Sequence, residues 1–309
     1  MNIDTSEIKK LLNWKEEFDF DLSLADKQIE KSQELIKNLK EFKGEIKTVV
    51  GIDIYKYSKM PHEQQLIIPL ILDQMLVGTS NLLGNDKYIF QNTDPKEIVS
   101  NRIDTGDGCF MIFDTPLHAI FFVLIFEVCI RHYNAYSLLK TAFSITEDIV
   151  YRIAISTDEV YSLDLLNNKT NTYGPGIIRC ARMLKKDKLN RFLIDKKTYL
   201  WFSRNIKGIE NLPLIDLNII KNIKDFEAYN HKLISKDNLL FNTVNSLNKD
   251  DGIKSADVLK LFDTEEKEDK LELYSVLLRA TINIFNRKNR NGILVNISLG
   301  NLNTEKIAF

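Results

Sequence analysis

IKTVVGIDIYKYS, residues 46–58, is β-branched and strand-like until it runs into Asp53. A second stretch has a similar end. IDTGDGCFMIF, residues 103–113, sets Asp107 between two glycines and then turns apolar. The spacing predicts a short buried strand at 109–113. GIDI and TGDG thus share one layout, an Asp beside small and strand-forming residues.

Working outward, Pro61 suits the first turn of a helix. EQQLIIPLILDQML follows it with helical apolar spacing, and Pro69 is expected to kink or interrupt that helix. Pro116 opens an apolar helix reaching about Tyr136. DIVYRIAISTDEVYSLDLL at 148–166 reads as two strands joined near Thr157 and Asp158. LNNKTNTYGPG at 166–176 reads as a loop and IIRCARML at 177–184 as the start of a helix. The segments LIDKKTYLWF, 193–202, and LNIIKNIKDFEAYN, 217–230, read as a closing strand, a turn helix and a hairpin. Strands alternating with helices, some joined as hairpins, predict an α+β fold: helices over a mostly antiparallel sheet, with a ferredoxin-like core.

Three divisions follow. Residues 1–45 form an N-terminal helical segment. Within it, Ile29, Leu35, Ile36, Leu39 and Phe42 fall at helical spacing over 24–45, as a cap on the domain or a dimer-forming helix. Residues 46–230 form the main domain. Residues 231–309 form a mixed or helical extension, regulatory or dimer-supporting, in which 257–287 reads as strongly helical.

The 309 residues are 44% apolar and 28% charged, enough for a full core in a soluble protein. The 42 basic and 43 acidic residues leave a net charge of −1, which gives no bulk electrostatic case for nucleic acid or anionic membrane. The run AIFFVLIFEVCI, 119–130, is too short to span a bilayer and contains Glu127. The N-terminus lacks a signal-peptide pattern, so a cytoplasmic location is expected. Cys109, Cys129 and Cys180 have no paired spacing and read as reduced thiols. His62, His118, His132 and His231 are scattered, without ligand spacing. No Walker loop or dinucleotide glycine pattern occurs.

Two aspartates on neighbouring strand ends suit hard cations, because Mg²⁺ takes one or two protein carboxylates and fills its shell with water and phosphate oxygens. Taken alone, Gly-Asp-Gly is usually a turn, and the spacing by itself is a weak sign of a metal site. A third element adds to the pair: YGPGIIRCARML, 173–184, is a Gly-Pro turn entering a helix that carries Arg182 among Cys180, Ala181, Met183 and Leu184. Arginine suits bidentate phosphate contact.

Together, VVGIDIYKYS, IDTGDGCFMIF and YRIAISTDEV followed by YGPGIIRCAR resemble the class III nucleotidyl cyclases, the adenylyl and guanylyl cyclase family, over roughly residues 46–230. The resemblance implies that Asp53 and Asp107 ligate two Mg²⁺ or Mn²⁺ ions with help from the Ile54 carbonyl. It implies that Arg182 stabilises charge on the α-phosphate and that Lys221 meets the triphosphate. It also implies a homodimer with Asp53 and Asp107 of one subunit facing Arg182 of the other.

The sequence departs from that family at the base-reading positions. Ile103 stands where a Lys or Glu reads a purine, and an aliphatic side chain has no hydrogen bond to offer. Asn171 aligns near the second reader. Tyr57 and Arg102 are candidate readers of a smaller base, the alternatives being a core tyrosine with a bonded hydroxyl and a surface ion pair. This pattern is similar to the pyrimidine cyclases of bacterial Pycsar antiphage defence. It implies UTP or CTP as substrate, cyclic UMP or cyclic CMP as product, and a downstream cyclic-nucleotide-binding effector. Ile178 replaces an Asn that orients the ribose, with Arg179 beside it as the candidate substitute. A purine cyclase with unusual base recognition and a degenerate scaffold are the competing expectations.

Overall fold

The computed structural model of the protein describes residues 43–84, 90, 93–136, 144–164, 170–187, 191–210, 252–266, 269–285 and 292–301. The expected N-terminal helix over 24–42, the hairpin at 217–230 and Lys221 lie outside the described residues. Glu45, placed at the end of that helix by the sequence reading, instead opens the first strand.

Strand β1 (Glu45–Ile54) leads to helix α1 (His62–Gly84) and the short α2 (Pro95–Ser100). Strands β2 (Arg102–Asp104) and β3 (Gly108–Phe113) form a hairpin, and α3 (Pro116–Tyr136) returns to β4 (Tyr151–Asp164). This β-α-β-β-α-β order, with spatial order β2-β3-β1-β4 and every neighbour antiparallel, is the ferredoxin-like arrangement. After it come β5 (Thr170–Tyr173), α4 (Pro175–Lys186), β6 (Phe192–Asp195) and α5 (Lys196–Glu210). Strand β6 pairs parallel to β4, and the sheet continues through β8 (Asp269–Phe285) to β7 (Gly252–Glu266), with β9 (Gly292–Leu299) on the far part of β8. The protein is therefore α+β, with a mostly antiparallel sheet.

Strand β1 is central and buried on both faces. Val50, Ile52 and Ile54 join a large core with α1, α3 and α5, through Ile68, Phe122, Phe126 and Phe202. Val49 faces the other way, into a smaller core beneath α4 with Cys180, Met183 and Leu184. Period-2 alternation sends Gly51 and Asp53 to this second face. A Cβ on Gly51 would meet Leu184 at 2.7 Å and Cys180 at 2.8 Å, so the bare glycine lets α4 lie directly on β1.

Four expectations from the sequence are corrected. Residues 148–166 do not break at Thr157 and Asp158: β4 is one strand, because both residues are bonded where they stand. The Thr157 amide donates to Asp195 at 3.2 Å, and Asp158 holds Arg179 and Lys197. The loop assigned to 166–176 contains β5, paired to β4 from Tyr173 opposite Tyr161 to Thr170 opposite Asp164. Where it is described, the stretch expected to be helical is strand: residues 257–266 belong to β7 and 269–285 to β8. Leu271 and Leu273 pack under one face of the sheet while Tyr274, Val276 and Leu278 pack under the other. A strand buried on both faces shows no polar-apolar alternation, and its Leu, Glu and Lys content imitates a helix. Through β8 the extension continues the sheet of the main domain.

The fourth correction concerns the interruption allowed for at Pro69. Helix α1 runs through it without interruption. Proline has no N–H to give the carbonyl four residues earlier, which here is Gln65. The Tyr57 hydroxyl supplies the missing donor, 2.6 Å from the Gln65 oxygen. Tyr57 opens a 3-10 turn, Tyr57–Lys59, directly after β1, and its ring packs on the large core.

All three cysteines are buried and free, and burial pushes the Cys109 and Cys129 thiols up to about 12. Among the described residues, no helix is long and apolar enough to cross a membrane.

Candidate active site

The site lies at the end of β1 where β1, β3 and β4 meet. Asp53 pairs with Gly108 on one side and Arg152 on the other. The TGDG turn is held against β1 by the Ile54 amide, which donates to the Asp107 carbonyl at 2.8 Å. Within the turn, Thr105 N–H donates to the Gly108 carbonyl at 3.0 Å. Both glycines are required. Gly106 has φ +90°, and a Cβ on Gly108 would sit 2.0 Å from the Ile52 oxygen. The turn therefore brings Asp107 beside Asp53. Because N–H and C=O of one strand residue point the same way, the Ile54 carbonyl is also directed toward this turn.

Asp53 and Asp107 differ in environment. Asp107 is half-buried, and its Oδ1 accepts a long 3.4 Å bond from Thr105 Oγ1. The Asp53 side chain is 18% exposed. Arg152 Nε donates to its Oδ2 at 2.8 Å and Nη2 donates to the same oxygen. Burial pushes the Asp53 carboxyl up, Arg152 pulls it back, and the charge of Asp107 adds to burial; the net shift is upward from its ordinary value.

Two carboxylates and a strand-end carbonyl make an oxygen donor set of the kind Mg²⁺ and Mn²⁺ accept when waters and phosphates fill the remaining positions. Asp53, Asp107 and Ile54 thus fit a divalent cation. Among the described residues, no group of three or more His, Cys, Asp or Glu comes together.

Arg152 was not among the residues singled out from the sequence. Its signal is visible in retrospect: an arginine opens the otherwise apolar run RIAI, and the β1–β4 register sets it opposite Asp53. Its third nitrogen, Nη1, donates to the Asp187 carbonyl at 2.7 Å, just past the end of α4.

The other expected site residues are distributed as follows. Ile103 pairs with Phe110 and packs on the small core, on the same sheet face as Asp53. Arg102 forms an ion pair with Asp73 of α1 and another with Asp104, Nε to Oδ1 at 2.9 Å. The polar ends of Arg102 and Tyr57 are thus both engaged inside the protein, which matches the ion-pair and bonded-hydroxyl readings of these two residues. Asn171 lies opposite Leu163, eleven residues along β4 from Arg152 and about 36 Å away at the usual rise per residue. Its Oδ1 accepts from the Thr172 amide at 2.9 Å.

Helix α4 turns Gly176, Cys180, Met183 and Leu184 onto the sheet. Arg182 and Ile178, one turn apart, share the opposite face, with Ile178 52% exposed. Arg182 therefore points away from the sheet that carries Asp53 in its own chain. Arg179, the candidate substitute beside Ile178, is engaged within the chain. It pairs with Asp158 and lies 3.7 Å from Asp195.

Fold and site define an α+β protein with a ferredoxin-like core and a paired-carboxylate site at its central strand ends. No protein-family model matches the chain, and no curated protein does. Among solved structures, it is similar to the guanylate cyclase domain of RhGC from Catenaria anguillulae in complex with GTP. That match has 16% identity, covers 76% of this chain and 97% of the other, and has a TM-score of 0.41. It is also similar to the adenylyl cyclase CyaB from P. aeruginosa, at 12% identity over 76% of this chain and 96% of that one, TM-score 0.41. The guanylyl cyclase Cya2 matches at 11% identity over 76% and 94%, TM-score 0.41. The fold description rests on the strand register given above.

Proposed function

We propose that the protein is a metal-dependent nucleotidyl cyclase that converts a pyrimidine nucleoside triphosphate, UTP in preference to CTP, to the 3′,5′-cyclic nucleotide and pyrophosphate. The observation that carries the proposal is the placement of Asp53 and Asp107 side by side at the ends of β1 and β3. In this reading the product is a second messenger in bacterial antiphage defence, read by a cyclic-nucleotide-binding effector.

The roles proposed are those that the resemblance to the class III nucleotidyl cyclases implies. Asp53 and Asp107, with the Ile54 carbonyl, would hold two Mg²⁺ or Mn²⁺ ions. When bound, these ions would acidify the ribose 3′-hydroxyl and neutralise charge on the phosphates. The 3′-oxygen attacks the α-phosphorus, its proton leaves to solvent, and the bond to pyrophosphate breaks. Arg182 would stabilise charge at the α-phosphate. Because it faces away from its own sheet, it would serve the site of a second copy, which gives a two-fold dimer with two equivalent sites. Lys221 is proposed to meet the triphosphate.

Ile103 supports the pyrimidine assignment. It lies on the face of Asp53 and offers no hydrogen bond to a purine edge. With Tyr57 and Arg102 engaged internally, base selection is proposed to come from the size and apolar lining around Ile103 more than from those two polar side chains. Asn171 would contribute from the partner subunit's hairpin. One observation favours a second reading, a scaffold that binds nucleotide without turnover: Ile178 presents only an aliphatic side chain one turn before Arg182.

The test is incubation with each of the four NTPs and Mn²⁺, followed by product separation. Cyclic UMP or cyclic CMP as main product is the expected result. Cyclic AMP or cyclic GMP as main product would overturn the pyrimidine assignment, and nucleotide binding with no product would favour the scaffold.

A further inference from the structure

We propose that Arg152 is a resident counter-ion for Asp53: it holds the carboxylate until a divalent cation arrives, and it must let go for that cation to bind. The inference rests on the reading of Asp53 and Asp107 as a cation site and concerns how that site is controlled.

Three observations carry it. First, all three guanidinium nitrogens are engaged. Nε and Nη2 both donate to Asp53 Oδ2, and Nη1 donates to the Asp187 carbonyl. Both bonds to the carboxylate fall on Oδ2, so a single oxygen carries the whole pairing. Secondly, the pair is largely out of water, with side chains 19% and 18% exposed. A divalent cation on the same carboxylate would stand next to the guanidinium, and two positive charges repel strongly in such a place, so the one displaces the other. Thirdly, the anchor behind Arg152 is firm. Asp187 is buried, and its carboxylate accepts from Arg191 N at 2.8 Å and Nε at 3.3 Å.

The consequence reaches α4. Asp187 is the residue at which this helix ends, and its amide closes the last turn onto Met183 and Leu184. Arg152 therefore ties Asp53 to the end of the helix that carries Arg182. Cation entry releases this tie, so occupancy at Asp53 and the seating of α4 are coupled. Arg152 acts here as a positioning residue.

The test is Mn²⁺ binding to the full chain without nucleotide, by titration calorimetry or by the loss of the free-ion paramagnetic resonance signal. Arg152→Gln should bind Mn²⁺ about tenfold tighter than wild type, the effect of losing a largely buried competitor worth about 1.4 kcal/mol. Arg152→Lys keeps the charge but loses the planar fork, and should fall between the two. It also serves if the Gln variant does not fold. Lys56→Gln removes a nearby cation that lies over the Tyr55 ring without touching Asp53, and should change affinity less than about twofold.

If Asp107→Ala abolishes Mn²⁺ binding while both Arg152 variants bind like wild type or more weakly, the latch is wrong and the cation site stands. If Lys56→Gln tightens binding as much as Arg152→Gln, the effect is general charge and the latch is again wrong. If no form binds Mn²⁺ while all are folded, the cation site and the latch fall together.

Discussion

Two pairs of aspartates lie on the same face of the sheet and have opposite characters. Asp158 and Asp195 sit beneath the first half of α4. Asp195 accepts from Ser156 Oγ at 2.9 Å, from the Thr157 amide and from the Thr198 amide at 2.9 Å. Asp158 holds Arg179 and Lys197. Both oxygens of each are occupied, and the hydrogen bonds join β4, β6, α4 and α5. Asp53 and Asp107 sit at the other end of β4. Asp53 is held through one oxygen and Asp107 by one long bond from a threonine. A carboxylate whose oxygens are all occupied by its own protein is a fastener. A carboxylate with oxygens to spare beside another has capacity for a ligand.

The largest test of that contrast substitutes one member of each pair. Asp195→Ala should remove about 3 kcal/mol of stability, since it deletes three buried hydrogen bonds and leaves Ser156 and the two amides without their acceptor. Asp107→Ala should leave the thermal midpoint close to wild type and reduce product formation by about 10³-fold. Reversed outcomes would exchange the two roles.

Tyr57→Phe sharpens the same contrast at a residue first considered as a base reader. Losing the donor to the Gln65 carbonyl should cost about 1 kcal/mol in chemical denaturation, with the ratio of cyclic products unchanged. In a Pro69→Ala background, residue 69 regains its own N–H, and the cost of Tyr57→Phe should fall toward zero. An altered product ratio would return Tyr57 to the nucleotide.

The smallest effect concerns Glu127, a carboxylate buried on the opposite face of the sheet from both pairs. Burial raises it, only partly offset by Arg131. The native state therefore holds this proton more tightly than the unfolded chain. Its contribution to stability is fully present below the unfolded glutamate value and is lost as pH rises through the higher folded value. Glu127→Gln should flatten the decline in stability across that window by about 1 kcal/mol or less. A steeper decline in the variant would contradict the assigned direction.

Much of the fold was legible because its signals are local. The β-branched run of β1, the proline opening α3 and the glycines of TGDG each act within a few residues. The sequence could also supply two aspartates at strand ends. It could not distinguish Asp53 from Asp195, because saturation by Ser156, Thr157 and Thr198 is set by the β4–β6 pairing and not by neighbours in the chain. The same holds for Arg152, whose partner lies 99 residues away. Strands β7 and β8 were misread because a strand buried on both faces loses its period. The partner of the Tyr57 hydroxyl was not legible, because it depends on a missing N–H at Pro69, twelve residues on, which matters only once α1 brings the Gln65 carbonyl within reach.

In the proposed dimer, the open pair of one copy, Asp53 and Asp107, works with Arg182 of the second. Mixing inactive Asp107→Ala with inactive Arg182→Ala tests this directly. Each mixed dimer would contain one site with both aspartates and an intact arginine, so cyclic nucleotide formation should reappear, approaching about a quarter of the wild-type rate for equal, freely exchanging amounts. A mixture that stays inactive although subunit exchange is demonstrated would contradict it.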